Sequence, residues 1–418
     1  MSWRSGRPGR GKWWSSEATA GHNPNSQRTM TTPVTEGKTV LILGGGVGGV
    51  VAANRLRQRL PCDHRVLLVD RERDHVFQPS LLWLAVGDRA PERIQRPLER
   101  LRRKGIEVIT GEIAALDPAA RTIRVDGREV VGDAIIVALG ADLAPDAIPG
   151  LAAAGHNLYT LQGAIALREA LADLHGGRVV VLTGAPAYKC PAAPYEAAML
   201  VEAAMRRRGK RNDFQLDLYA AEPGPMGVAG PLVSAAVRDV VESKGIRYHP
   251  SHQVTAVDPA ARRLTFSNGA TAAFDLLAYV PPHRAPAVVR AANLIDESGW
   301  IPVNRETFET PFPGVYAIGD VTTVPLTMGK PLPKAGVFAH GEAEVVAANI
   351  VWQWTGRGAR RTFRGEGQCF LETGDGRAGL GAGNFYGEPA PVVTLHRPSW
   401  WWHWGKVLFE RRWLRQWF

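Results

Sequence analysis

A chain of 418 residues is too long for one small core and suits two or three lobes. Its hydrophobic (45%) and charged (22%) fractions are those of an ordinary globular protein, and a net charge of +10 points to an anionic contact. No zinc spacing or RRM-like aromatic strand supports nucleic acid. Three cysteines without a CxxC pair exclude a disulfide framework and a cysteine-rich zinc site, and no apolar run reaches the roughly 18–20 residues of a spanning helix.

Residues 1–37 show no apolar period and read as a disordered tail, and the part before Met30 is expected to be an upstream-start artefact or a dispensable tail. They lack a secretory or twin-arginine signal, so export is not expected. The stretch TVLILGGGVGG follows, with Gly44, Gly46 and Gly49 spaced GxGxxG before a helical pattern. The spacing predicts a strand, a tight turn and a helix whose first N–H groups face a pyrophosphate. Asp70 ends the second strand, HRVLLVD, where a carboxylate takes ribose hydroxyls.

The segment RERDHVFQPSLLWLAVG reads as a wrap over a cofactor, RPLERLRRKG as an exposed basic helix, and IEVITGEIAAL with RTIRVDG as a small antiparallel insert. DAIIVALGADL is a buried parallel strand that ends at Gly140, where backbone again approaches a cofactor. A second strand-turn-helix unit starts at Arg178, but its turn carries Pro186, Tyr188, Lys189, Cys190, Pro191 and Pro194 in place of glycines. Proline offers a phosphate no N–H and Cβ atoms block backbone approach, so this lobe keeps a nucleotide-domain fold without the nucleotide. VYAIGDV then ends a strand at Gly319 and Asp320, placed to hold a ribityl or phosphate chain from the side opposite the glycine turn.

These motifs in this order resemble the flavoproteins with two dinucleotide domains, which include glutathione reductase-like enzymes and type II NADH dehydrogenases. Within them, YKCPAAPYE around Cys190, GQCFLETGDG around Cys369 and PPHRAP resemble the sulfide:quinone oxidoreductases and the flavin subunit of flavocytochrome c sulfide dehydrogenase, over essentially all of the chain from Lys38. The resemblance implies an α/β fold of two Rossmann-like, glutathione reductase-type domains plus a C-terminal membrane-associating segment. The FAD-binding domain is expected over 38–170 and 285–360, the second domain without an NAD site over 171–284, and a redox loop with a membrane segment over 361–418. FAD is implied and, because HVFQPSLLW offers no flavin-linking cysteine, it is non-covalent. GHNLYTLQGAIAL also lacks the third cysteine of many relatives.

The resemblance further implies that Cys190 and Cys369 form the redox pair, that sulfide attacks their bridge, and that electrons pass through FAD to quinone while polysulfide grows. Glu196 is the expected proton shuttle, with a helix N-terminal charge as the other reading, and Lys334 is expected at the flavin edge, with a solvated loop lysine as the other. Cys62 is expected to be structural, and no metal site is expected. Alternatives are a type II NADH:quinone oxidoreductase, a cytochrome c-linked sulfide dehydrogenase flavoprotein, and a non-catalytic flavin-binding membrane module.

The terminus, RPSWWWHWGKVLFERRWLRQWF, holds six of the 13 tryptophans. On a helix starting near Lys406, Val407, Phe409, Trp413, Leu414, Trp417 and Phe418 share one face and Arg411, Arg412 and Arg415 the other, which suits an anionic headgroup region. A helix that closes a core or a dimer interface is the competing reading. A peripheral membrane location follows, with the cytoplasmic face favoured and the oligomeric state open, a homo-oligomer included. Phe338, Phe385 and Tyr386 are candidate quinone-stacking side chains.

Overall fold

The computed structural model describes residues 37–418, so the expected disordered tail over 1–37 falls, Gly37 apart, outside the described residues. The first strand, Thr39–Leu43, is buried along its whole length, as an uninterrupted apolar run must be when both faces of a sheet are covered. It is the centre of a five-stranded parallel sheet in the order 315–317, 134–137, 39–43, 65–70, 107–110. The helix Val47–Arg59 packs against this sheet, and the helix Gly336–Thr355 packs on Val47–Arg59. IEVIT, expected in the antiparallel insert, therefore belongs to the main sheet as its edge strand, and the insert is formed by Ile113–Asp117, Thr122–Val125 and Arg128–Val131. RPLERLRRKG is a 3-10 helix over Leu98–Lys104 that buries Leu98 and Leu101 rather than a fully exposed one.

The second sheet is also parallel, in the order 156–157, 276–280, 177–183, 214–219, 247–249. Its edge strand at His156–Asn157 lies upstream of residue 171, the expected start of this domain, and the helix Leu161–Asp173 runs across that position. Leu81–Ala85, expected to wrap a cofactor, is a buried helical turn that packs on this Leu161–Asp173 helix.

The remainder of the chain is a three-stranded antiparallel sheet, Glu366–Gly374, Arg377–Asn384 and Val392–Ser399, followed by the helix Trp400–Trp417. Cys369 thus stands on a strand and not in a loop. The terminal helix buries Lys406, Val407, Glu410, Trp413, Leu414 and Trp417 in the protein itself. This corrects the face expected to meet lipid, because most of its apolar stripe closes the core. Trp400, Trp401, Trp404, Leu408 and Phe409 remain exposed. No described helix is long and apolar enough to cross a membrane.

Candidate functional site

Parallel strands open a crevice at their carboxyl ends, and the sequence motifs meet there on four adjacent strands. Gly44 turns at φ +108°, a left-handed conformation that L side chains rarely adopt, and a Cβ on it would run into the Ala138 carbonyl. A Cβ on Gly49 would strike the Gly44 carbonyl, so helix and turn touch only because both residues are glycine. Around Gly46 there is open space, and the first-turn N–H groups of the following helix have no intrahelical acceptor. Asp70 accepts from the Gly45 N–H and, at 2.7 Å, from the Glu72 N–H, which anchors the turn to the end of its neighbouring strand.

On the other side of the crevice Gly140 and Gly319 have φ +68° and +75°. The buried Oδ1 of Asp320 meets no hydrogen-bond partner, and burial pushes this carboxyl above its usual range against the pull of Lys189 and Lys334. An orphaned acceptor of this kind calls for a donor from a bound molecule. Lys334 donates to the Asp320 and Thr322 carbonyls at 2.7 and 2.8 Å, and its ammonium lies 3.4 Å from the Trp300 ring centroid. Burial lowers it to about 8, so the solvated-loop reading of Lys334 does not hold. The open faces at Gly46 and Gly140 and the orphaned Asp320 oxygen fit a dinucleotide lying across the strand ends.

In the second lobe the crevice is filled. Glu222, just beyond the strand Phe214–Tyr219, accepts from Thr183 at 2.8 Å, from the Tyr195 hydroxyl at 2.7 Å and from the Tyr188 hydroxyl. Two tyrosines from the altered turn and its helix therefore take the carboxylate that a ribose would need. The sequence marked Tyr188 as part of the altered turn but not its pairing with Glu222, because that pairing joins residues about 30 positions apart on different elements.

The same altered turn presents Cys190 at φ +50°, which is uncommon for a residue with a Cβ. The conformation is held from several sides. Its N–H donates to the Lys334 carbonyl at 2.7 Å, and its carbonyl accepts from the Ala193 N–H at 2.9 Å and the Tyr159 hydroxyl at 3.2 Å. Cys369 arrives on the strand Glu366–Gly374, which packs on the helix Ala193–Arg207. Both thiols are free, and their charges would repel. Burial, then Cys369 and Glu196, raise Cys190 well above a normal thiol. Cys369 is open to solvent on one side and packed on the other, and that packing pushes it up to about 12. Cys62, expected to be structural, is exposed.

Behind the thiols lies a buried ion pair that the sequence did not reveal. Glu196 bonds to the Lys406 ammonium at 3.1 Å and to the Glu372 N–H at 2.8 Å, while Glu372 holds His403 at 3.0 Å. Burial opposes the Lys406 charge, yet Glu196 and Glu372 hold it above its ordinary value; burial also raises Glu196 against the pull of Lys406. Lys406 lowers both cysteines, so the terminal helix supplies the positive charge of the thiol site. Its signal was the helical period 406, 410, 413, 414, 417, which places Lys406 on the buried stripe. Phe338 and Phe385 meet edge to face at 5.0 Å, and the Tyr386 hydroxyl donates to the Arg305 carbonyl at 2.6 Å.

Residues 38–343 match the profile of the pyridine nucleotide-disulphide oxidoreductase family. The chain belongs to that family. Members similar to it include the mitochondrial sulfide:quinone oxidoreductase of Mus musculus, 26% identical over 84% of this chain and 79% of that protein. The sulfide-quinone reductase of Aquifex aeolicus is 27% identical over 90% of each chain. The X-ray structure of the Aquifex aeolicus sulfide:quinone oxidoreductase superposes with a TM-score of 0.82 at 26% identity, covering 91% of both chains.

Proposed function

We propose that this oxidoreductase is an FAD-dependent sulfide:quinone oxidoreductase. The observation that carries the reading is the convergence of Cys190 and Cys369 on the Glu196–Lys406 pair, at a turn where the family's second nucleotide site is closed by Tyr188 and Tyr195. The similarity to named sulfide:quinone oxidoreductases along most of the chain supports the same assignment.

In this reading Gly44, Gly46, Gly49, Asp70, Gly140, Gly319 and Asp320 hold FAD, non-covalently. Bound there, FAD supplies a two-electron acceptor beside the sulfur site. Hydrosulfide attacks the oxidised Cys190–Cys369 bridge, so a new S–S bond forms to one cysteine as the old one breaks and the other sulfur leaves as a thiolate. Lys406 favours that thiolate, and Glu196 takes a proton from incoming H2S. Lys189 and Lys334 bring positive charge to the Asp320 side of the crevice. Polysulfide is the product as sulfur chains lengthen, and quinone is the final acceptor.

Quinone and the basic terminus together support a peripheral membrane seat. On the terminal helix Trp400, Trp401, Trp404 and Leu408 are exposed in line with Arg411, Arg412 and Arg415, which suits an anionic lipid surface. The test is the flavin spectrum under anaerobic conditions. Sulfide bleaches it, NADH does not, and a quinone analogue restores it; bleaching by NADH alone would overturn the assignment.

A further inference from the structure

We infer that Glu342, acting with Lys334, is the proton reservoir for reduction of the acceptor. The inference rests on the quinone-reducing activity proposed above. Quinone takes up two electrons and two protons to become quinol. Sulfide supplies the electrons through the flavin, and nothing at the thiol site supplies protons to the other end of the reaction.

Glu342 lies in the second turn of the helix Gly336–Thr355 and is 2% exposed, although it carries a carboxyl group. One oxygen accepts from the Gly319 N–H at 2.6 Å, so the carboxyl is tied to the Gly-Asp turn that closes the dinucleotide crevice. It shares a small cavity with Gly319, Thr322, Lys334 and Phe338. The charged or titratable groups that act on it are Asp320 from that turn and Lys334 from the loop before the helix. Tyr386, from the C-terminal sheet, feels the Glu342 charge in turn. On the outer face of the same helix Glu344 is taken by Arg55 and Arg59, so those charges are spent elsewhere.

This arrangement makes the protonation state of Glu342 responsive. Burial raises its carboxyl to about 7 and lowers Lys334 to about 8, so each changes charge close to neutrality. Negative charge that enters the crevice raises both further and draws a proton in. Above about pH 7 Glu342 is ionised at rest and takes up that proton on reduction. It then gives the proton to the acceptor and recovers one from solvent, while the second proton of quinol comes from solvent directly.

The experiment uses the FAD-loaded protein and Glu342→Gln, which keeps an acceptor for the Gly319 N–H but cannot titrate. Sulfide should bleach the flavin as in the parent, while reoxidation by a soluble quinone slows by about 10- to 100-fold above pH 7. The flavin midpoint potential should depend less steeply on pH in the same range, and Glu342→Asp should restore the dependence. An infrared carboxyl band titrating near 7 in the parent and missing from the Gln variant would support the assignment. Unchanged pH dependence of both potential and reoxidation in Glu342→Gln would overturn it. If sulfide fails to bleach the parent, the sulfide reading falls, and dithionite-reduced protein reoxidised by quinone still decides the role of Glu342.

Discussion

The Lys406 ammonium lies 3.1 Å from the Glu196 carboxylate, and both side chains are almost wholly buried. The two residues come from helices 210 positions apart in the chain, and they place the only full positive charge of their pair behind the two thiols. Lys406→Met leaves Glu196 unpaired in the interior and should cost about 3–5 kcal/mol in denaturant unfolding. It should also shift alkylation of Cys190 and Cys369 to higher pH, since Lys406 lowers both thiols. Adding Glu196→Gln in the same chain should recover most of the lost stability, and failure to do so would show that the cost lies in packing against Trp83 instead.

Serine at Cys190 or at Cys369 should each abolish bleaching of the flavin by sulfide and leave the amount of bound flavin unchanged. Flavin content and stopped-flow absorbance separate the two effects. Retained bleaching in either variant would remove that cysteine from the proposed pair.

Gly49→Ala places a methyl group against the Gly44 carbonyl and should yield protein that has lost FAD on purification. Asp320→Ala removes the orphaned acceptor and should weaken FAD by about 1–3 kcal/mol, about 5- to 150-fold in dissociation constant. Equilibrium dialysis against free FAD measures both.

Acid should destabilise the protein through His75. This buried ring holds the Gly45 carbonyl at 2.8 Å and stacks on Trp413, and burial lowers it from 6.5 to about 4. Between those values the unfolded chain binds a proton that the folded one refuses. Stability is therefore complete above about pH 6.5 and falls by about 3 kcal/mol as the pH drops to about 4. Urea titrations at several pH values should show this slope, and His75→Asn should reduce it, leaving the share of His283, which burial also lowers to about 4.

Liposome sedimentation tests the membrane face. Deleting 400–418 is unsuitable, because it strips Lys406, Trp413 and Trp417 from the core. Serine at Trp400, Trp401, Trp404 and Leu408 together should leave the thermal midpoint nearly unchanged and release the protein from anionic vesicles. Undiminished sedimentation would count against the surface.

Much of this molecule was legible in short windows of sequence. The glycine turn at 44–49, the strand ends at Gly140 and Gly319 and the proline-cysteine turn at 190 follow from backbone sterics and apolar runs, which act between neighbours in the chain. Tertiary structure alone decided that Lys406 enters the thiol site, that Tyr188 and Tyr195 close the second crevice on Glu222, and which stripe of the terminal helix faces outward. Each of those depends on charges or surfaces that must leave water together. A polar side chain acquires such a partner only when distant segments pack, and no local period records which partner it will be.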